Sequence, residues 1–306
     1  MSPEGLLPND DQMKLLRKHG SVEIITHTGK LSDLNQLKQD TSEKVLGVDP
    51  DAFSWDMDGE SVKNIPHVKV VCTQSTSFDW VKPQVLKDIG VLVANCPGFS
   101  ADSVAEHAMG MAIDVGRNLP LYIKNGWKID WKTRKPMLLK GKTLGVVGLG
   151  RIGTRICEIG AGIGMNVIYW SRTTKDKRFT YHKLGDVFQT ADVIIPALVE
   201  NEDTKKLLTH TLLDSVKSSS ILVGINRVKD LWDEDYILKK VKNEEIAGYA
   251  FEGDNAKDPT AYEGNVLPLP AMAWYTQDSL QNLLDIWVQN MVSATGSKPQ
   301  NIVNKL

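Results

Sequence analysis

The residues with the clearest chemical use in this sequence are three glycines, Gly148, Gly150 and Gly153, which are spaced as G-x-G-x-x-G. An apolar run at 144–147 precedes them, and a helix-compatible segment follows them. In such a setting the first glycine permits a tight turn, the second lets the backbone approach a pyrophosphate, and the third allows helix and strand to pack closely. The pattern therefore predicts a dinucleotide site at a helix N-terminus, where free N–H groups bind phosphates. A purely structural turn is the competing interpretation.

The end of the next apolar run, at 167–170, indicates which dinucleotide is bound. NAD sites usually place an acidic residue about 20 residues beyond the glycines, where it binds the ribose 2′-hydroxyl and repels a 2′-phosphate. Here Ser171 stands at that place, and Arg172 and Lys175 follow it. These residues favour NADP, with NAD as the alternative cofactor. The competing interpretation is that the two cations are solvated loop charges.

Two further segments contain groups that could bind a carboxylate. The loop at 73–79 consists of mostly small polar residues after an apolar run, at the edge where open α/β sheets bind their ligands. Its backbone N–H groups could hold an anion, although an ordinary turn with Asp79 as a helix N-cap would have the same composition. A later apolar run at 221–225 leads to Arg227, whose planar fork of donors suits a carboxylate.

The elements that must position these residues alternate between apolar runs and amphipathic segments. Up to residue 98 we predict strands at 22–25, 44–48, 68–72 and 91–95, with helices at 31–38 and 82–87. Beyond the glycines we predict strands at 167–170, 192–195, 221–225 and 246–251, and a last helix at 279–294. This rhythm predicts an α/β protein with two doubly wound parallel-sheet domains.

The composition limits the classes of function. A chain of 306 residues, of which 42% are hydrophobic, can bury a large core and is long enough for two domains. A net charge of −2 provides no field for nucleic acid or an anionic membrane, so small molecules are the predicted partners. Three scattered cysteines without a C-x-x-C pair predict reduced thiols and a cytoplasmic protein, and no residue pattern predicts a metal site.

The chain as a whole resembles the D-2-hydroxyacid dehydrogenase family, which includes glyoxylate, glycerate and phosphoglycerate dehydrogenases. The matching pieces are STSFDWV, NCPGFSADSVAEHA, GKTLGVVGLGRIG, the strand leading to Arg227, EEIAGYAFE and PQNIVN. The resemblance implies an NAD(P)-dependent oxidoreductase acting on CH–OH donors, and a homodimer. It also implies a central Rossmann cofactor domain at 99–283, with a smaller flavodoxin-like substrate domain built from 1–98 and 284–306.

The resemblance also implies roles for particular residues. Ser75, Thr76 and Ser77 resemble the loop that holds the substrate carboxylate, although Ser77 stands where the family usually has glycine. Arg227 is similar in position to the arginine that binds the substrate carboxylate and keto oxygen, and Glu252 to an aspartate that faces the nicotinamide. Together with the glycine turn, these matches give the predicted cofactor-binding residues Gly148, Gly150, Arg151, Ile152, Gly153, Ser171, Arg172, Thr173, Lys175, Asn226 and Glu252.

One departure from the family concerns the proton donor. The family normally carries Pro-His where this chain has Pro270 and Ala271, and no histidine follows His210. Another donor could have replaced it, with Tyr275 and Asp258 as the predicted catalytic candidates and Lys257 or a bound water as further alternatives. Alternatively, an imine or another substrate could bring its own proton, or the chain could be a non-catalytic NAD(P)-binding regulator or scaffold. We predict the dehydrogenase, which exchanges hydride between the cofactor and a small 2-keto or 2-hydroxy acid.

Overall fold

The computed structural model describes residues 6–26, 29–132, 134–199, 201, 203–205, 207–225, 231–253 and 256–305. The chain divides into two compact units, one comprising Met1–Ser100 with Thr276–Leu306 and the other Ala101–Tyr275. The predicted domain boundary at residue 283 lies inside a helix, Gln277–Ala294, which belongs entirely to the first unit. The substrate and cofactor roles of the two units stay predictions at this point.

The secondary structure alternates between strand and helix as the sequence pattern predicts. The strands are β1 (Lys44–Val48), β2 (Val68–Thr73), β3 (Leu92–Ala94), β4 (Thr143–Val147), β5 (Asn166–Trp170), β6 (Thr180–Tyr181), β7 (Val193–Pro196), β8 (Ile221–Gly224), β9 (Gly248–Glu252) and β10 (Val266–Leu269). The helices are α1 (Asp10–Arg17), α2 (Asn35–Gln39), α3 (Pro83–Asp88), α4 (Ala101–Gly116), α5 (Leu119–Lys124), α6 (Arg151–Gly162), α7 (Leu184–Thr190), α8 (His210–Asp214), α9 (Glu234–Lys242) and α10 (Gln277–Ala294).

The smaller unit contains a parallel sheet in the order β1-β2-β3. Helix α10 packs on β1 and β2, and Trp287 donates its indole N–H to the carbonyl oxygen of Cys72 at 2.8 Å. Gly47 permits this close packing, because a Cβ there would lie 2.7 Å from both the Trp287 ring and the sulfur of Met291. The predicted strands at 44–48, 68–72 and 91–95 are confirmed to within two residues at each end.

The predicted strand at 22–25 is wrong, because this segment has no regular secondary structure. Ile24 is exposed and Val22 and Ile25 are only half-buried, so the segment has no fully buried apolar face. Without such burial, little offsets the entropy lost when a strand is ordered. The predicted helix at 31–38 is also only partly formed, as a short 3-10 turn at Leu31–Asp33 followed by α2.

The larger unit is built on a parallel sheet in the order β10-β9-β8-β7-β4-β5-β6. Alternate residues of its central strands enter different apolar clusters: Val146 packs with the residues of α4 and α6, and Val147 with those of α7 and α9. The sheet is therefore covered on both faces. The chain reverses its direction of progress across the sheet between β4 and β7, and ligands of doubly wound folds bind outside the carboxyl ends of the strands at such a switch point.

In the part of the chain that the structure describes, no helix combines the length and the apolar character needed to cross a bilayer.

Candidate active site

The glycine turn follows β4 at the switch point of the larger sheet. Gly148 has a φ of +103°, and a Cβ there would lie 2.5 Å from the carbonyl oxygen of Ala197. A Cβ at Gly153 would lie 2.0 Å from the carbonyl oxygen of Gly148, so these two glycines are required by the turn itself. Gly150 differs, because nothing lies within 4 Å of its Cβ position. That opening is the space in which a ligand could approach the backbone.

The start of α6 supplies groups that bind anions. Gly150 is the N-cap residue, with a φ of −81°, and the first turn of the helix contains no acidic side chain. Arg151 is exposed and Ile152 packs against the core of the unit. Because the first N–H groups of an α-helix have no partner within the helix, this terminus can bind the pyrophosphate of a dinucleotide.

The end of β5 lies beside this turn, since the N–H of Gly148 donates to the carbonyl oxygen of Trp170 at 2.8 Å. Ser171 is buried there, whereas Thr173 is exposed. Two cations follow, and both are held in place. Arg172 forms an ion pair of 3.0 Å with Asp203. Lys175 lies 3.0 Å from the ring centroid of Tyr181.

The sequence pattern did not indicate Asp203 or Tyr181 as parts of this site. Asp203 lies beyond β7 and Tyr181 on β6, so their proximity to the end of β5 depends on the tertiary fold. Lys175 also donates to the carbonyl oxygen of Ser171 at 3.3 Å, which keeps its positive charge close to the strand end. Two cations, one of them paired with Asp203, therefore lie near the strand end at which an NAD-specific site has a carboxylate.

The polar loop after β2 lies in the smaller unit. The hydroxyl of Ser75 donates to the carbonyl oxygen of Ser77 at 2.6 Å, and that of Thr76 to the carbonyl oxygen of Cys96 at 2.9 Å. The Trp80 indole also donates to the carbonyl oxygen of Ser77, at 3.0 Å. Within the described residues, the backbone N–H groups of Thr76 and Ser77 have no acceptor. The side chains thus fix the loop, and its N–H groups are available for an anion.

Glu252, the last residue of β9, is only 3% exposed. Its Oε1 atom accepts hydrogen bonds from the backbone N–H groups of Met272 at 2.9 Å and Ala273 at 2.7 Å. The buried carboxylate of Glu252 therefore holds the segment just after Ala271, which follows β10. The predicted approach of Glu252 to a cofactor stays a prediction.

Helix α4 contacts Glu252 and the segment after β10 through two residues that the sequence pattern did not identify. Ser103 donates its hydroxyl to the carbonyl oxygen of Ala273 at 2.5 Å, and the Nε2 atom of His107 lies 3.5 Å from the Oε1 atom of Glu252. The available sequence signal was their spacing of four residues, which places both on one face of a helix. That spacing has no meaning until the fold brings Glu252 and the 271–275 segment against that face.

The predicted proton donors occupy different settings. Asp258 caps a 3-10 turn and accepts hydrogen bonds from the hydroxyl and the N–H of Thr260, which lower the pKa of this carboxyl group. Tyr275 is exposed, contacts the ring of Trp274, and donates its N–H to the carbonyl oxygen of Met272 at 2.9 Å. Arg227 and Asn226 lie outside the described residues.

The larger unit therefore fits a dinucleotide cofactor: the position at Gly150 is open, the first N–H groups of α6 have no partner within the helix, and two cations follow the neighbouring strand. Residues 109–270 match the profile described as "D-isomer specific 2-hydroxyacid dehydrogenase, NAD binding domain". The chain belongs to this family. The predicted fold class and the predicted enzyme class, an oxidoreductase of CH–OH donors, are confirmed by this membership and by the shared architecture of solved members.

Individual relatives are distant but cover most of the chain. The glyoxylate reductase of Aeropyrum pernix is 28% identical over 271 residues, which are 81% of this chain and 80% of that protein. The glycerate dehydrogenase of Methylorubrum extorquens is 26% identical over 264 residues, 81% of this chain and 82% of that protein. The solved structure described as an acyclic imino acid reductase (Bsp5) in complex with NADPH and D-Arg superposes with a TM-score of 0.79. The two chains share 24% identity, and the superposition covers 97% of this chain and 96% of the solved one, so the two have a common fold.

Proposed function

We propose that this protein reduces a small 2-keto acid to the 2-hydroxy acid, with NADPH as the preferred hydride donor. The observation that carries this proposal is the open Gly150 position, beside a strand end with Ser171 and two fixed cations in place of a carboxylate. The names of the relatives, glyoxylate reductase and glycerate dehydrogenase, suggest a substrate of two or three carbon atoms.

The predicted site residues have separate roles in this proposal. The glycine turn and the first N–H groups of α6 would hold the pyrophosphate, and Asn226 is also proposed to bind the cofactor. Four residues of the segment after β5 would surround the 2′-phosphate: Ser171, Arg172, Thr173 and Lys175. The N–H groups of the 75–77 loop and the guanidinium of Arg227 would hold the substrate carboxylate. The cofactor, when bound, supplies the hydride.

A ketone also requires a proton at its oxygen as hydride reaches its carbon. We propose that Tyr275 supplies it, because its phenol is exposed on the turn that follows Ala271. Asp258 suits this task less well. Its pKa is lowered by Thr260, so the carboxyl group is ionised at neutral pH and can only accept a proton.

A second candidate function is the reduction of an imine. The absence of a histidine at residue 271 favours it, because a protonated imine carries its own proton on nitrogen and needs no acid when hydride arrives. The name of the related imino acid reductase with NADPH points the same way. This candidate uses the same cofactor site and the same carboxylate-binding residues.

The test is NADPH oxidation by the purified protein with glyoxylate and other 2-keto acids, each with and without an added amine. Turnover with the keto acid alone supports the proposed function, and Tyr275→Phe should then lower kcat about 10²–10⁴-fold. Turnover that requires the amine supports imine reduction. If only an Ala271→His variant is active, the natural chain is a cofactor-binding protein that lacks a proton donor, and the proposal is wrong. If neither the natural chain nor the Ala271→His variant oxidises NADPH, the protein is a regulator or scaffold.

We also propose a cytoplasmic homodimer. The three cysteines are buried and unpaired, which suits a reducing compartment. Burial raises the pKa of Cys96 and of Cys157 to about 12, so both remain unreactive thiols. The dimer is proposed because large apolar side chains are exposed on the segment that follows α5.

A further inference from the structure

We propose that Ser103, His107 and Glu252 form a clamp that positions the turn at 271–275, and that His107 makes this clamp sensitive to protonation. The inference rests on the proposed function only in that the turn carries Tyr275. All of these residues belong to the larger unit. Ser103 and His107 are thereby positioning residues that act on the turn from α4.

The clamp holds three backbone groups of two successive residues. Oε1 of Glu252 binds the N–H groups of Met272 and Ala273, and the hydroxyl of Ser103 binds the carbonyl oxygen of Ala273. The N–H of Tyr275 then closes the turn on the carbonyl oxygen of Met272. The turn would therefore loosen if the carboxylate moved away.

His107 is placed to control that carboxylate. Its Nε2 atom is buried and makes no hydrogen bond in the described structure, and it lies 3.5 Å from the same oxygen that holds the turn. If Nε2 carries the hydrogen, His107 directs an N–H donor toward the carboxylate of Glu252. In the other tautomer, the lone pair of Nε2 would face the carboxylate and repel it. A small movement brings the pair within hydrogen-bond range. An unused buried donor next to a buried carboxylate is otherwise a costly arrangement.

The charged groups near His107 determine how its protonation affects the clamp. Glu252 faces it from β9, and Asp114 faces it from its own helix, where His107 lowers a pKa that burial has raised. The cation of α6 that reaches α4, Arg155, is already paired with Asp102 at 2.8 Å. When the imidazole takes a second proton, it therefore becomes a cation 3.5 Å from the carboxylate of Glu252, and its charge also acts on Asp114 farther along α4. The clamp then tightens and the turn becomes more rigid.

The experiment compares two substitutions of one residue. His107→Leu removes the donor, so kcat should fall about tenfold at unchanged NADPH affinity, which corresponds to about 1.4 kcal/mol. His107→Gln keeps a donor that cannot become charged, so kcat should stay near that of the natural chain when the imidazole is neutral, but should lose the change with pH that protonation of His107 produces. Glu252→Gln, which retains an acceptor, should be less impaired than Glu252→Ala.

A second readout does not depend on turnover. Trp274 lies within the turn, so the difference in acrylamide quenching between each variant and its Trp274→Phe counterpart reports how firmly the turn is held. His107→Leu should make Trp274 easier to quench. His210→Gln is the matched control, because it changes another imidazole–carboxylate pair, at 2.9 Å from Asp233, away from the turn.

The outcomes separate the clamp from the proposed function. If the natural chain turns over no keto acid but Trp274 is released in His107→Leu and Glu252→Ala, the clamp stands and the function fails. If Trp274 is quenched to the same extent in His107→Leu as in His210→Gln, the clamp is wrong, whatever the activity of the natural chain.

Discussion

At the scale of single residues, the proposed preference for NADPH depends on two cations at the end of β5. Arg172 is bound to Asp203, and Lys175 lies on the ring of Tyr181 and against the carbonyl oxygen of Ser171. Neither side chain is therefore a freely solvated loop charge. Both contacts lie beside the strand end at which we propose that a 2′-phosphate binds.

The double substitution Arg172→Ala with Lys175→Ala should weaken NADPH binding about tenfold and leave NADH binding unchanged, because only the phosphate meets these charges. Calorimetric titration of the two cofactors measures both dissociation constants. Arg178→Ala is the matched control: this cation belongs to the same loop, but it is engaged by Asp176 and Glu158. An equal loss for both cofactors would place the discrimination elsewhere.

At the scale of secondary-structure elements, the connection from β4 to α6 contains glycines that differ in purpose. Gly153 has no room for a side chain, because a Cβ would lie 2.0 Å from the carbonyl oxygen of Gly148. Gly150 has an ordinary φ of −81° and open space around it. The first of these glycines serves the fold of the connection, and the second is needed only if a ligand occupies the space.

Gly150→Ala should therefore keep its thermal stability while NADPH binding falls at least about tenfold, since the methyl group occupies the approach to the phosphate. Gly153→Ala should lose about 1–3 kcal/mol of unfolding free energy, because overpacking shifts the backbone. Thermal melts and calorimetric titrations of the two variants form a matched pair. Normal cofactor binding by Gly150→Ala would contradict the assignment of this opening to a ligand.

The amino ends of β4 and β7 are joined by one carboxylate. Asp192 accepts hydrogen bonds from the N–H of Thr143 at 2.9 Å and from the Lys217 ammonium at 2.6 Å. Burial alone would raise the pKa of Asp192, but these partners outweigh it and lower the pKa. Because the pKa of Asp192 is lower in the folded protein than in the unfolded chain, its ionised form stabilises the folded protein at pH values above the ordinary aspartate pKa of about 4. This stabilisation is lost as the pH falls through the lowered pKa of the folded protein.

Asp192→Asn should accordingly cost about 1–2 kcal/mol of unfolding free energy at neutral pH. The difference from the natural chain should disappear as the pH falls below the lowered pKa of Asp192. Urea unfolding at a series of pH values measures this, with Asp11→Asn, an exposed carboxylate paired with Lys14, as the control. A cost that is independent of pH would mean that the residue acts through shape instead of charge.

At the scale of the whole molecule, local patterns predicted the alternating elements and the glycine turn, because periodicity and steric demands are encoded in short segments. They failed at 22–25, where apolar residues are present but no burial follows. They also could not find Asp203, Tyr181 or the face of α4 that contacts Glu252. Each of these contacts joins residues far apart in sequence, and only the sheet order brings them together.

The largest exposed apolar side chains of the larger unit predict an assembly of two copies. Trp127 and Trp131, on the segment after α5, are 73% and 87% exposed, and Ile129 between them is also exposed. Monomers rarely expose apolar groups so close together, and a symmetric pair of chains would bury them against the same surface of a second copy.

Trp131→Glu places a charge in that contact and should convert a dimer into a monomer, which light scattering during size exclusion would measure. Ile24→Glu, at an exposed apolar residue of the smaller unit, should leave the mass unchanged. A monomeric natural chain would show that the two tryptophans serve another purpose.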